Sequence, residues 1–145
     1  MARIDYKRIG AEAFKRLGQL SEYGKSCSVD LKLIELAKLR ASQINGCANC
    51  IQLHTRTLRK LGETDERMHL VAAWDEAPCF SERERAALAW TEAVTLVSEG
   101  HVPDAVYDQA REQFSEQELV DLTFAIVTIN AHNRLAIAFR VDLRE

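Results

Sequence analysis

The sequence predicts an all-α protein, a bundle of about seven helices in one domain spanning residues 1–145. Three observations support this fold class. Strand-like alternation of apolar and polar residues is scarce. The 145 residues include only six Gly and two Pro, so residues that break helices are few. Serine and threonine caps also precede stretches in which apolar residues recur every three or four positions, as on one face of a helix.

The first predicted helix lies near residues 5–19. Ser28 precedes the second helix, VDLKLIELAKLRASQI, in whose first turn Asp30 falls. One side of this second helix is apolar: Leu31, Ile34, Leu36 and Leu39. The dipeptide Asn45-Gly46 is a turn signal, and we expect a third helix to run back antiparallel from Cys47 to an end at Gly62.

Four further helices are predicted in the second half of the chain. Thr64 can cap a short helix through Ala73, and Pro103 suits the first turn of a helix through about Glu112. Capping boxes start the other two: Ser81 with Glu84 and Ser115 with Glu118. In the last helix the periodic positions are Leu119, Leu122, Ile126 and Ile129. Because this helix is also apolar between those positions, we expect it to be central and buried.

Charge and hydropathy exclude several classes of partner. The formal net charge is −3, and basic residues alternate with acidic ones, so no basic surface for nucleic acid is expected. The longest mostly apolar run, residues 119–129, is too short to span a bilayer, and the N-terminus lacks the apolar core of a signal peptide. The sequence therefore predicts a cytoplasmic protein without membrane or nucleic-acid partners.

Reactive side chains converge in the stretch NGCANCIQLH, residues 45–54. Cys47, Cys50 and His54 are spaced three and four apart, so on a helix all three share one face, and the cysteine Cα atoms lie roughly 5–6 Å apart, close enough for a disulfide. A helix N-terminus also stabilises a thiolate. We expect Cys50 to be the nucleophile with His54 as its base, and Cys47 to be the resolving thiol. Cys27 and Cys79 are expected to be bystanders.

Glu35 is a fourth candidate because of its distance from the turn. It lies eleven residues before Gly46, and His54 lies eight after it. In an antiparallel helix pair with a rise of about 1.5 Å per residue, their depths differ by only about 4–5 Å, so the side chains can meet. The sequence leaves a solvent-exposed Glu35 open as the alternative.

The stretch NAHNR near the end of the last predicted helix is polar. We expect Asn130, Asn133 and Arg134 to fix a helix end or a subunit contact, and we prefer the same role to catalysis for His132.

Three segments together resemble a known family. ELAKLRASQINGCANCIQLH, then FSERERAALAWTEAV and later INAHNR are similar to the AhpD-like alkylhydroperoxidases of the carboxymuconolactone decarboxylase superfamily. The resemblance extends over about residues 28–140. Its core is a glutamate, eleven intervening residues and a CxxCxxxH motif. It implies an all-helical oligomer, a trimer or hexamer, that reduces hydroperoxides in antioxidant defence without cofactor or metal.

The resemblance also implies roles for individual residues. The second cysteine, Cys50, would attack the peroxide and the first, Cys47, would resolve, while Glu35 and His54 would form a proton relay. A thiol reductant, either a protein or a small dithiol, would restore the enzyme. The chain departs from the best-known members, which carry a histidine between the two cysteines, because Ala48 and Asn49 stand there. Members that act as decarboxylases lack the CxxC pair, so its presence argues against that activity.

Two other functions use the same residues. Cys47, Cys50 and His54 could bind zinc with a fourth ligand from Cys79, His69 or Glu35. No second CxxC or HxxxH pair of the kind usual in structural zinc sites is present. Alternatively, the protein is an oligomeric helical module whose CxxC pair only senses oxidants.

Overall fold

The computed structural model describes residues 1–143 and confirms the all-α fold class, with no strand in this range. The elements in chain order are α1 (Tyr6–Ile9), α2 (Ala11–Tyr23), α3 (Leu31–Asn45), α4 (Ala48–Lys60), α5 (Asp65–Leu70), a 3-10 turn (Val71–Ala73), α6 (Glu82–Thr95), α7 (Asp104–Gln113) and α8 (Glu116–Ala138). No helix within residues 1–143 is both long and apolar enough to cross a membrane.

Both predicted capping boxes are present. At the start of α6 the Ser81 hydroxyl accepts the Glu84 N–H, and the Glu84 carboxylate accepts the Ser81 N–H. Ser115 and Glu118 form the same reciprocal pair at the start of α8. Each box satisfies two backbone donors that would otherwise lack partners at a helix start, which is why these starts can be read from sequence.

The predicted start of the second helix at Ser28 is wrong. Asp30 caps α3, because its carboxylate accepts the Leu33 N–H at 3.2 Å. Ser28 instead donates through its hydroxyl and its backbone N–H to Asp121 of α8, at 2.7 and 3.1 Å. This contact crosses 93 residues of sequence, so local spacing could not indicate it.

Two other helices differ in their bounds. The N-terminal segment is two helices that meet at Gly10, not one, and the second continues to Tyr23. A side chain at Gly10 would lie 3.1 Å from the Tyr6 carbonyl oxygen, so this close turn suits glycine. Pro103 is the cap that precedes α7 and not a residue of its first turn.

Helix α3 is the most enclosed element, because it packs against α4, α6 and α8. Nine of its residues are buried: Leu33, Ile34, Glu35, Leu36, Ala37, Lys38, Leu39, Ala41 and Ser42. At Gly46 the backbone adopts a left-handed conformation with φ of 70°, and the chain reverses into α4. The resulting α3–α4 hairpin carries Glu35, both cysteines of the CxxC pair and His54.

Helix α8 is buried on one side only. The periodic positions are enclosed as predicted: Leu119, Leu122, Ile126 and Ile129. The apolar residues between them are about half exposed: Val120 at 50%, Phe124 at 49% and Val127 at 50%. The prediction that α8 is buried therefore holds for one face, and the opposite face is an apolar stripe on the surface of the chain.

Candidate active site

The CxxC pair lies at the start of α4. Cys47 is the N-cap residue, and its sulfur accepts the backbone N–H of Cys50 at 3.3 Å. The two cysteines are joined by a disulfide, with their Cα atoms 5.3 Å apart, and both are buried. Cys27 and Cys79 are free thiols. The helical spacing therefore brings together the pair that the sequence predicts, at a helix end where backbone N–H groups favour a thiolate.

Glu35 and His54 meet across the hairpin. Glu35 Oε2 lies 2.6 Å from His54 Nδ1, and both side chains are buried. The exposed position left open for Glu35 by the sequence is therefore wrong. A carboxylate accepts hydrogen bonds, so Nδ1 carries the proton and Nε2 is the ring nitrogen that can take another. His54 follows Cys50 by one helical turn, so an oriented base stands beside the cysteine pair.

Lys38 completes this buried cluster and was missed by the sequence reasoning. Its Nζ lies 3.5 Å from Oε1 of Glu35, the oxygen that His54 does not use. The available signal was the spacing of three residues from Glu35, which places both side chains on one face of the helix. Burial acts most strongly on the pKa of Glu35 and raises it, but the hydrogen bond and charge of His54 and the charge of Lys38 together outweigh burial and hold that pKa below its ordinary value. Glu35 is therefore ionised at neutral pH.

A cavity of about 400 Å³ opens onto Cys50, Glu35, Lys38 and His54. Its other walls come from α1, α2 and α8 and include the apolar residues Phe14, Ile129 and Ala136 together with Gly18. Leu53 of α4 also lines the cavity. The cavity is large enough for a small organic molecule that reaches the cysteine, since ligand sites usually start at a few hundred Å³.

His132 also lines this cavity, and its role in a helix end or subunit contact stays a prediction. Its Nε2 lies 3.0 Å from the Ser21 hydroxyl of α2. Burial lowers the pKa of His132, and the nearby charges of Lys38, His54 and Lys7 lower it further. Its imidazole is therefore neutral at physiological pH. No local signal in the sequence pairs α2 with α8.

The other polar residues of α8 fix a helix end. Asn45, the last residue of α3, donates through Nδ2 to Asn130 and Asn133, both at 2.9 Å. Asn133 in turn donates to the Ser42 hydroxyl at 3.1 Å, and Arg134 donates to Asn130 at 2.8 Å. These contacts hold the turn that precedes Cys47 against α8, as one of the two predicted roles requires.

Within residues 1–143, no group of three or more His, Cys, Asp or Glu side chains is arranged to hold a metal ion. His69 and Cys79, two of the possible fourth ligands for zinc, are both exposed.

The family model for the carboxymuconolactone decarboxylase family matches residues 11–93, a range that contains the whole α3–α4 hairpin. The chain is also 41% identical over 136 residues to the uncharacterized protein YdfG of Bacillus subtilis, and the match covers 94% of this chain and 92% of that protein.

Solved structures share the fold. A protein of unknown function from Agrobacterium tumefaciens, described as a candidate antioxidant defence protein AhpD, superposes with a TM-score of 0.96 at 39% identity, over 100% of this chain and 99% of that one. An uncharacterized peroxidase-related protein with an alkylhydroperoxidase AhpD core, from Ralstonia eutropha, gives a TM-score of 0.82 at 20% identity, over 93% and 72% of the two chains. The second likeness concerns the fold alone.

Proposed function

Because the chain belongs to the carboxymuconolactone decarboxylase family, in its AhpD-like branch, we propose that it is a thiol-dependent peroxidase. It reduces alkyl hydroperoxides through the Cys47–Cys50 pair and serves antioxidant defence. The Agrobacterium relative described as a candidate antioxidant defence protein supports this assignment.

One observation carries the proposal. Cys50 of the disulfide-bonded pair and the hydrogen-bonded side chains of Glu35 and His54 line the same cavity. A disulfide with a purely structural role needs neither a cavity nor an oriented histidine. A peroxidase needs a nucleophilic thiol, a base for its proton, and space for the hydroperoxide.

The reaction begins with the reduced pair. His54 Nε2 takes the proton of the Cys50 thiol, while Glu35 holds the resulting imidazolium through Nδ1. The Cys50 thiolate attacks the terminal oxygen of the hydroperoxide, so an S–O bond forms and the O–O bond breaks. The electron pair leaves on the alkoxide, which receives the proton from His54 and departs as an alcohol. Sulfur is oxidised by two electrons, and Cys50 becomes a sulfenic acid.

Cys47 then resolves the sulfenic acid. Its sulfur attacks the Cys50 sulfur, an S–S bond forms, and the hydroxyl group leaves as water with the proton from Cys47. An external thiol, on a protein or a small dithiol, reduces the disulfide by exchange and returns both cysteines to thiols. This cycle requires a reducing compartment, in agreement with the proposed cytoplasmic location.

Single-turnover oxidation tests this function. Fully reduced protein is mixed with cumene hydroperoxide, and thiols are counted before and after. We expect the loss of two thiols per chain, with peptide mapping that assigns them to Cys47 and Cys50. Cys50→Ser should abolish the reaction, and Cys47→Ser should accumulate a sulfenic acid that a dimedone probe traps.

A matched control is the double variant Cys27→Ser with Cys79→Ser, which removes the other two thiols. It should react at the wild-type rate. The proposal is wrong if the reduced wild-type protein keeps all its thiols in a moderate excess of hydroperoxide, or if the bridge forms between Cys27 and Cys79.

We also propose that the chain assembles with copies of itself into a trimer or hexamer, as its resemblance to the AhpD-like family implies. The half-exposed stripe Val120, Phe124 and Val127 on α8 supports this assembly. The three residues line a groove to which Tyr107, 46% exposed, also contributes, so the apolar surface is larger than the stripe alone. Contiguous apolar surface of this kind is typical of an interface.

A further inference from the structure

We propose that Lys38 is a catalytic residue that holds the oxygen of the departing alkoxide while the O–O bond breaks. This inference rests on the proposed peroxidase function. Lys38 would stabilise the negative charge that develops on the leaving oxygen. Glu35 and His54 alone provide only a proton.

The first observation is the incomplete bonding of the Lys38 ammonium. Lys38 is 7% exposed, and within residues 1–143 its single hydrogen-bond partner is Glu35 Oε1, at a long 3.5 Å. An ammonium group has three donors, and burying a charge with donors unused is unfavourable. Two donors therefore remain for a ligand, and the energetic cost of burying them is offset when an anionic oxygen binds.

The second observation is the position of this ammonium. Lys38 lines the same cavity as Cys50 and His54, so a molecule that reaches the cysteine shares a cavity with the cation. The two oxygens of Glu35 separate Lys38 from His54, with His54 Nδ1 at 2.6 Å on one and Lys38 Nζ at 3.5 Å on the other. The cation and the proton donor therefore lie on either side of one carboxylate.

Other cations of the cavity are less suited to this role. Lys25 is paired with Glu22 at 2.9 Å, and its side chain is 61% exposed, so water screens its charge. Lys7 lies over the ring of Phe14, 5.5 Å from its centroid, and is only partly buried. Lys38 is the buried cation of this wall, where the low dielectric strengthens its attraction for an alkoxide.

Charge balance favours the same assignment. The charges of Lys38 and Glu35 cancel in the resting site. When the Cys50 proton moves to His54, the new thiolate and imidazolium also cancel, and attack on the hydroperoxide transfers the negative charge from sulfur to the leaving oxygen. A preorganised cation beside that oxygen stabilises the transition state more than the ground state, which is the requirement for catalysis.

The test compares leaving groups of different basicity. An alkyl hydroperoxide releases a strongly basic alkoxide, whereas peracetic acid releases a weakly basic carboxylate that needs little stabilisation. We expect Lys38→Met to lower the second-order rate constant for oxidation of the reduced protein by cumene hydroperoxide about 10²-fold, the effect of removing one such donor, and that for peracetic acid much less. Lys38→Arg keeps a cation and should recover a large part of the rate constant with cumene hydroperoxide. Lys15→Met, at an exposed position on α2 outside the cavity wall, should react like wild type.

Equal losses with both oxidants in Lys38→Met would overturn the inference, because a role in folding or in holding Glu35 does not distinguish leaving groups. If Lys38→Met does not fold, the inference is tested on the wild-type protein by measuring its rate constants with a series of hydroperoxides and peracids. Its rate constants should depend less steeply on leaving-group pKa than those of dithiothreitol, and an equally steep dependence would exclude Lys38 from this role. A wild-type protein that reacts with none of these oxidants would instead refute the peroxidase proposal.

Discussion

The Glu35 carboxylate is shared between a base and a cation. His54 and Lys38 each use one of its oxygens, and all three side chains are buried. The Glu35–Lys38 ion pair should therefore affect both catalysis and the stability of the fold. Breaking such a pair on one side leaves a buried charge without a partner, which is far more costly than replacing both members by neutral groups.

Glu35→Gln should accordingly lower both activity and stability. We expect kcat/KM with cumene hydroperoxide to fall about 10²- to 10⁴-fold, because the amide cannot hold an imidazolium as a carboxylate does. The free energy of unfolding should fall by about 3 kcal/mol, because the Lys38 ammonium loses its counter-ion. Steady-state kinetics and urea denaturation measure the two effects.

The double variant Glu35→Gln with Lys38→Met separates the effect on activity from the effect on stability. Without the unpaired ammonium, most of the lost stability should return, while activity stays low. Wild-type activity in Glu35→Gln would mean that His54 alone, or His132 from α8, acts as the base. A double variant no more stable than Glu35→Gln would contradict the ion-pair argument.

His132 gives the protein a pH-dependent stability. Burial and neighbouring cations hold its pKa below the ordinary value of 6.5, so the unfolded chain binds a proton at a higher pH than the folded chain does. Stability from the neutral imidazole is therefore full above about pH 6.5 and is lost as the pH falls toward the folded pKa. We expect the melting temperature to fall between pH 7.5 and 5.5, and to fall less in His132→Gln.

His69→Gln is the control for this effect, because His69 is exposed on α5. This variant should retain the pH dependence of the wild-type protein. If the melting temperatures of His132→Gln and wild type fall by the same amount between the two pH values, another group causes the acid sensitivity.

The α3–α4 hairpin depends on one left-handed residue. Gly46 has φ of 70°, and a side chain there would meet nothing within 4 Å, so only the backbone conformation opposes substitution. We expect Gly46→Ala to lower the free energy of unfolding by about 1 kcal/mol, because a Cβ is disfavoured in the left-handed region. Urea denaturation measures the loss.

Gly18 provides the matched comparison on α2. A side chain at Gly18 would also meet nothing within 4 Å, but this residue lies inside a helix. Gly18→Ala should therefore raise the free energy of unfolding by about 0.5–1 kcal/mol, the opposite sign. Equal effects of the two substitutions would mean that the turn conformation of Gly46 contributes no preference for glycine.

At the scale of elements, local rules explain the successes of the sequence prediction. Both capping boxes and the turn at Gly46 are encoded within a few residues, and the rise per residue along two antiparallel helices was enough to bring Glu35 to His54. The error at Ser28 has a different origin. Its hydroxyl is used by Asp121, a contact between distant parts of the chain that no local pattern contains.

At the scale of the whole molecule, the sequence did not indicate the cavity or its other walls. The pattern of α3 and α4 placed the cysteines and the acid–base pair, but His132 reaches the cavity only because α2 and α8 close over the hairpin. The same holds for Lys38. Its spacing from Glu35 can be read from the sequence, but its burial depends on helices from other parts of the chain that pack against α3. Long-range packing is the part of a site that single-sequence reasoning does not supply.

The apolar stripe of α8 also concerns the whole molecule. Val120, Phe124 and Val127 are spaced four and three apart, so they form one continuous face on the side of α8 that the chain itself leaves uncovered. A second copy of the chain that covers this face would remove its apolar surface from water, and such burial drives most stable protein association.

Phe124→Asp should therefore weaken self-association, because a carboxylate buried at an apolar contact lacks a partner. In sedimentation velocity at micromolar concentration, we expect wild type to sediment as an oligomer and the variant to shift toward the monomer, with an unchanged helical circular dichroism spectrum. Val97→Asp is the control, since Val97 is 53% exposed in the loop after α6 and does not line the groove that contains the stripe residues. A wild-type monomer would contradict the assembly, and an oligomer that survives Phe124→Asp would require a different face. Because α8 also carries Ile129 and His132 in the cavity wall, a monomeric variant with reduced hydroperoxide turnover would link assembly to the shape of the site.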